Sequence, residues 1–558
     1  MKILLAACNA KYIHSNPAVY DLRAFASEYK EHILLGEYTI NQTKDEILKE
    51  IYRSGAEVVC FSCYIWNISF VRELIFDLKK ILPGTAFWVG GPEVSFDAEN
   101  FLKEMPQVTG VMVGEGEETF LELARYYIEK KGTLADIRGI AFRENGEIFH
   151  NGWRKVMDLS RVPFAYEQTE DFANRIIYYE SSRGCPFSCS YCLSSIDKKL
   201  RFRNLELVKK ELQFFLDKKV PQVKFVDRTF NCKHDHAMEI WKYILEHDNG
   251  VTNFHFEISA DLLREEELEL MSRMRPGLIQ LEIGVQSTNP DTIRAIHRNM
   301  DLKKLEASVA RVKSFGNIHQ HLDLIAGLPC EDYESFRRSF EQVYRMKPDQ
   351  LQLGFLKVLK GSSMYHEAQK YEILYKEKEP YEVTAWLSYE DILKLKMVES
   401  MVEVYYNSGQ FRKTLSWIET FYQEMFSFYE SLGAYYEEKG YEEISHSRLR
   451  RYEILLEFLK EKTQLPVNTA SQYMVYDLYL REKLKKRPAF AMDQKPYEAS
   501  VRNYRKANKI PKTAHIEVFG DGSAVLFDYE ARDPLTNNAR AEQFFLERNP
   551  VNDIETEA

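Results

Sequence analysis

The 558-residue chain has little of several things, and each shortage removes a class of protein. No apolar run reaches the roughly 18 residues that a membrane-spanning helix needs. The apolar stretch at the start, ILLAAC, turns polar at once, which is too short and wrongly flanked for a secretory signal, so a cytoplasmic protein is expected. With 25 glycines, 18 prolines and 45% hydrophobic residues, the composition is neither collagen-like nor disordered. Eight cysteines are too few to staple a chain of this length, so clustering among them points to metal or redox chemistry rather than to a disulfide framework. Positive charge is in deficit, 75 Lys+Arg against 85 Asp+Glu, for a net of −10. The length itself predicts three or four domains.

What is present is alternation. Over residues 1–135, β-branched runs (KILLAAC, HILLGEYTI, AEVVCFSCYI, TAFWVGG, VTGVMVGEGE) are separated by helical patterns such as FVRELIFDLKKIL. This predicts an α/β fold, a doubly wound, Rossmann-like (flavodoxin-like) parallel sheet, whose ligands belong beyond the carboxyl ends of the strands. Gly90, Gly91, Gly114, Glu115 and Gly116 fall there. Residues 136–172 read as a hairpin turning at Asn145-Gly146, then a linker. Over 173–360, six further strand–helix units predict a (β/α)6 partial TIM barrel. Residues 361–548 turn to long amphipathic helices with a small β segment at 515–531, and the polar tail 549–558 is expected to be disordered.

The chemistry is carried by SSRGCPFSCSYCLSS, which puts Cys185, Cys189 and Cys192 directly after the first strand of the second series. Three thiolates can hold three irons of a [4Fe–4S] cluster and leave the fourth open to a ligand. Zinc, with Cys232 or a histidine as the fourth donor, is the alternative. Cys60 and Cys63 form a CxxC, but strand alternation sends them to opposite faces and predicts buried structural thiols.

The C-x3-C-x2-C spacing, with Tyr191 before the last cysteine, resembles the radical S-adenosylmethionine (SAM) enzymes. That resemblance implies a [4Fe–4S] cluster whose open iron is chelated by SAM, one-electron cleavage to a 5′-deoxyadenosyl radical, and an electron donor such as a flavodoxin or ferredoxin. It also implies SAM contacts by Glu257, Gln286 and Arg298, by Asp227 toward the amino group, and by Gly327 toward the adenine. The segments LLAACNAKYIHSNPA, FSCYIWN, WVGGPEVS and MVGEGEETF are similar to the cobalamin-binding module of cobalamin-dependent radical SAM proteins, although no Asp-x-His-x-x-Gly is present. On that resemblance the glycine loops cradle the nucleotide tail, and Ser62, Trp66 and Asn67 approach the corrin; an empty scaffold is the alternative.

The activity the resemblance implies is methyl transfer to an unactivated carbon, with a C-terminal domain that shapes the substrate site. A cobalamin-dependent rearrangement or cyclisation is the rival within enzymes. A third reading comes from residues 481–512, where eleven Lys+Arg face three Asp+Glu with aromatics interleaved: an RNA-binding protein with a structural cluster. The aromatic helices of 401–441 read as core rather than as a substrate channel.

Overall fold

The computed structural model describes residues 1–166, 172, 175–375 and 386–547, so the tail from 549 lies outside the described residues. The chain divides into two units, Met1–Phe336 with Gly354–Tyr389, and Arg337–Leu353 with Glu390–Ala558. No helix among the described residues is long and apolar enough to cross a membrane.

The first unit opens with strands β1 (Ile3–Asn9), β2 (Ile33–Thr39), β3 (Val58–Ser62), β4 (Ala86–Gly90), β5 (Gly110–Met112), β6 (Ile140–Glu144) and β7 (Glu147–His150). They form one sheet in the order β2-β1-β3-β4-β5-β6-β7, parallel through β5. All seven residues of β1 are buried, as a parallel strand covered on both faces requires. The alternation of β3 sends Cys60 into a core with Ile3, Leu5 and Trp88, and Cys63, just beyond it, into a second core with Leu4, Ala6 and Cys8. Burial pushes both thiols far above their ordinary range, so neither is a ready thiolate. The hairpin at 140–150 is not a free-standing element. Its strands β6 and β7 run antiparallel onto the sheet beside β5, covering what would otherwise be an exposed edge of unpaired backbone groups.

The second series begins with β8 (Ile177–Tyr179). A short antiparallel pair, β9 (Ser182–Arg183) with β10 (Arg201–Phe202), brackets the cysteine loop. Strands β11 (Gln222–Phe225), β12 (Asn253–Ile258), β13 (Ile279–Gln286), β14 (His319–Ala326) and β15 (Gln350–Phe355) complete an open six-stranded sheet in the order β8-β11-β12-β13-β14-β15. Burial alternates strictly along β13 and β14. The half-buried face carries Glu257, Glu282, His321 and Asp323, and the register sets Glu257 beside Glu282, Glu282 beside His321, and Gly284 beside Asp323. One face of this sheet is therefore polar, which a barrel filled with aliphatic side chains would not be.

In the second unit, helices Met425–Lys439, Arg448–Lys462 and Val467–Arg481 bury Tyr429, Tyr435, Tyr436, Tyr452 and Phe458. Edge-to-face pairs such as Tyr435 with Phe458, 5.5 Å between centroids, make this an aromatic core. Strands β16 (His515–Val518), β17 (Ser523–Arg532) and β18 (Ala539–Phe545) form an antiparallel sheet. The third strand escapes sequence reading because ARAEQFF lacks an apolar alternation. Four of the eleven basic residues of 481–512 are spent within the unit: Arg481 on Thr536 O, Lys483 on Lys512 O, Arg487 on Glu517, and Arg505 on Pro511 O. That leaves fewer cations for phosphates than the count alone suggests.

Asp477 accepts hydrogen bonds from Lys413 N, Thr414 N and Thr414 Oγ1 at the start of helix Arg412–Ile418. Burial nevertheless pushes its carboxyl from 3.8 up to about 7. The unfolded chain then loses this proton before the folded one does, so this unit should lose stability between about pH 4 and 7 and stay level above. The magnitude is on the order of 4 kcal/mol. Thermal melts across that range should show the slope in the native protein and a flatter one in Asp477→Asn.

Candidate functional site

The cysteine loop is held in place by chain-distant anchors. Asp227, just beyond β11, accepts from Ser181 N at 2.9 Å, and from Ser181 Oγ and Ser182 Oγ at 2.6 Å each. Midway along the loop, Ser190 N donates to Ile296 O, and Met364 N donates to Ser190 O. Ser195 Oγ then bonds the carbonyls of Cys189 and Cys192.

So fixed, Cys185, Cys189 and Cys192 open on one cavity of about 180 Å³, together with Tyr191, Arg228, Thr229, Glu257, Glu282, Gly284, Gln286, Arg298 and Asp323. Among the described residues, no three His, Cys, Asp or Glu side chains converge as ligands of a single metal ion would. Arg298 reaches Cys189 Sγ at 3.7 Å, Tyr191 Oη at 3.3 Å and Gly284 O. Gln286 has a left-handed backbone, φ +72°, and its amide folds back over Gly284, where a Cβ would lie 2.2 Å from Nε2. Two buried atoms here lack any partner, Gln286 Oε1 and Arg298 Nε. Burial raises the Glu257 carboxyl to about 7 against the pull of Arg228. Glu282 is held by Lys224 at 2.9 Å and His255 at 3.0 Å, and His321 pairs with Asp323 at 3.0 Å.

A larger cavity, about 720 Å³, lies at the carboxyl ends of β3, β4 and β5. Ser62, Gly90, Gly91, Gly114, Glu115 and Gly116 line it, as do Tyr64, Trp153 and Asp21. Gly91 has φ +111° and sits against Cys63, where a Cβ would stand 2.5 Å from the carbonyl oxygen, so no other residue fits this turn. Arg183 binds Glu180 at 2.7 Å, Glu117 at 2.8 Å and Glu115 at 3.4 Å, tying the barrel entrance to the first sheet. Burial, with Glu180 and Glu117 nearby, raises the Asp21 carboxyl well above the carboxylate range.

Four expected contacts lie elsewhere. Asp227 is fully buried and lines neither cavity, because alternation along β11 turns residues 225 and 227 away from the face shared by 224 and 226. Its role is to hold the cysteine loop. Gly327 also stands off both walls. Asn67 is buried with its amide on Cys8 O and Ser62 O, joining the ends of β1 and β3. Trp66 turns outward, stacked 4.3 Å from Tyr64, and it is Tyr64 that reaches the cavity. Sequence reading missed Arg228, Glu282 and Asp323. The last two were legible from the period-two pattern Gln280-Glu282-Gly284-Gln286 and His321-Asp323. Cys232 and Cys330 line neither cavity, and His236 is buried against Ser181 rather than grouped with Cys232.

Three family models match the chain: a B12 binding domain over residues 4–124, the radical SAM superfamily over 179–343, and a protein of unknown function, DUF4080, over 369–521. The chain is 25% identical over 300 residues to the uncharacterized methyltransferase PH0819 of Pyrococcus horikoshii, covering 52% of this chain and 64% of that protein. It is likewise 25% identical over 303 residues to the cobalamin-dependent radical SAM methyltransferase TokK of Streptomyces tokunonensis, covering 50% and 44%. The chain thus spans about half the length of these curated relatives. The solved structure of the cobalamin-dependent SAM radical enzyme OxsB, with aqua-cobalamin and SAM bound, matches at a TM-score of 0.59 and 14% identity over 86% of this chain and 78% of that one, a likeness of fold. The chain therefore carries, in order, a B12 binding domain, a radical SAM domain and a DUF4080 region, and the relatives it resembles include cobalamin-dependent radical SAM methyltransferases.

Proposed function

We propose that the protein transfers a methyl group to an unactivated carbon of its substrate, with SAM and a [4Fe–4S] cluster in the smaller cavity and cobalamin in the larger. The observation that carries this reading is that the two cavities share a wall at Arg228, so that groups held in each would reach a common substrate. When bound, the cluster and SAM supply one-electron cleavage of a sulfonium, and cobalamin supplies a transferable methyl group. Residues 1–135 would serve cobalamin and 173–360 the cluster and SAM.

Cys185, Cys189 and Cys192 would hold three irons as thiolates. Gln286 Oε1 and Arg298 Nε, unpartnered and buried, offer an acceptor and a charged donor to the polar ends of SAM. Glu257 supplies acceptor oxygens for an ammonium or a ribose diol. Around the larger cavity, Gly90, Gly91, Gly114 and Gly116 carry no side chain that would hold a phosphate-bearing tail away from the backbone, and Tyr64, Trp153, Phe164 and Tyr166 add aromatic surface to the wall.

Anaerobic reconstitution with iron, sulfide and hydroxocobalamin tests the reading. About four irons and one cobalamin per chain, with 5′-deoxyadenosine formed from SAM under reductant, is the expected result. A 14-dalton gain in substrate distinguishes methyl transfer from cyclisation, which leaves no such gain. Iron without cobalamin would make the first domain a scaffold and remove cobalt chemistry.

A further inference from the structure

Arg228 leaves the end of β11 where the two cavities meet. The terminal nitrogens of the other arginines of these walls are engaged by protein groups: Arg154 by Glu122, Arg183 by three glutamates, Arg203 by Glu211 and two carbonyls, Arg298 by Gly284 O and Tyr191. Arg228 differs. Among the described residues its guanidinium donates no hydrogen bond, and its ion pair with Glu257 is long at 3.8 Å. Its side chain keeps 56% of its surface accessible, facing the open space between the walls. Glu257 and Glu180 are the acidic side chains that act on its charge. Glu180 is itself engaged by Arg183, which leaves the loose contact with Glu257 as the one an incoming group must displace.

A guanidinium presents five N–H donors in a planar fork that matches two oxygens of one anion. A charge-assisted pair with two oxygens of one anion is shorter and stronger than this single long ion pair, so a ligand that supplies them displaces it. We propose that Arg228 captures an anionic group of the substrate, a carboxylate or a phosphate, at the junction of the two cavities. The inference rests on the reading that the cavities take SAM and cobalamin, because a substrate that exchanges a hydrogen for a methyl group has to lie between them. It assigns the substrate class that the fold leaves open.

The test uses the full chain reconstituted with cluster and cobalamin, treated with phenylglyoxal, and analysed by peptide mass spectrometry for modification at Arg228. Inorganic phosphate and acetate are the probes, with chloride at matched ionic strength as the reference. We expect one or both probes to slow modification of Arg228 about ten-fold, the effect of a charge-assisted hydrogen-bond pair. Protection by phosphate alone identifies a phosphate, and protection by acetate alone a carboxylate. Equal rates in all three salts, or an Arg228 that does not react, overturn the proposal. Iron and cobalamin contents of Arg228→Gln should match those of the native protein; loss of either would assign the guanidinium to that cofactor and overturn the substrate role. A native protein that takes up neither iron nor cobalamin defeats the underlying reading instead, and the two failures are told apart in the same samples.

Discussion

Replacing Cys185, Cys189 and Cys192 together by alanine removes iron from the reconstituted protein and abolishes SAM cleavage. The loss is complete because thiolate–iron bonds have no substitute here: among the described residues no three His, Cys, Asp or Glu side chains converge as ligands of a single metal ion would, and Cys232 stands outside the cavity. Cys185 and Cys189 are only 7% exposed, so water does not replace them as ligands on an open surface. The loop itself should survive the substitutions, since Asp227 with Ser181 and Ser182, Ser190 with Ile296, and Ser195 with two carbonyls hold it without any thiol. The iron-free triple variant is therefore expected to melt within about 1 kcal/mol of the iron-free native protein. Iron, sulfide and 5′-deoxyadenosine measured in one sample decide the matter, and persistence of 5′-deoxyadenosine in the variant would refute the cluster assignment.

Arg203→Ala should be the most damaging single change to the stability of the first unit, by about 3–5 kcal/mol. Arg203 and Glu211 are each 7% exposed and are joined through two guanidinium nitrogens. Arg203 NH1 also donates to Leu159 O and Val162 O at 2.8 Å, fixing the linker that precedes β8. Without the arginine, Glu211 is left buried with the hydroxyl of Tyr179 at 2.6 Å, and both carbonyls lose their donor. Thermal unfolding should fall sharply in the single variant and recover in large part in Arg203→Met/Glu211→Leu, where neither charge remains to be desolvated. Both residues line the larger cavity, so cobalamin uptake should weaken in the single variant as well. Wild-type melting of Arg203→Ala would show that water reaches the pair.

The parts of this protein legible in its sequence are those encoded by neighbours along the chain. Three cysteines within eight positions announce a cluster loop, because one short loop can present all three thiols. The runs from KILLAAC to VTGVMVG announce a parallel sheet, because strands buried on both faces must be apolar throughout. Period-two polarity along β13 and β14 marks a wet inner face. Less legible were the side chains set by partners far along the chain. Asp227 looked like a SAM contact because it ends a strand, and only its bonds to serines forty-five and forty-six positions earlier make it an anchor. Trp66 looked suited to a flat macrocycle, but its stacking on Tyr64 turns the smaller ring to the cavity.

The sequence by itself determined the two α/β folds and the loop that presents three cysteines together, since both follow from local periodicity and spacing. Only the tertiary structure decided which residues face each cavity and that Arg228 stands on both walls, because a cavity is bounded by segments distant in sequence, and its lining depends on how their side chains are already engaged.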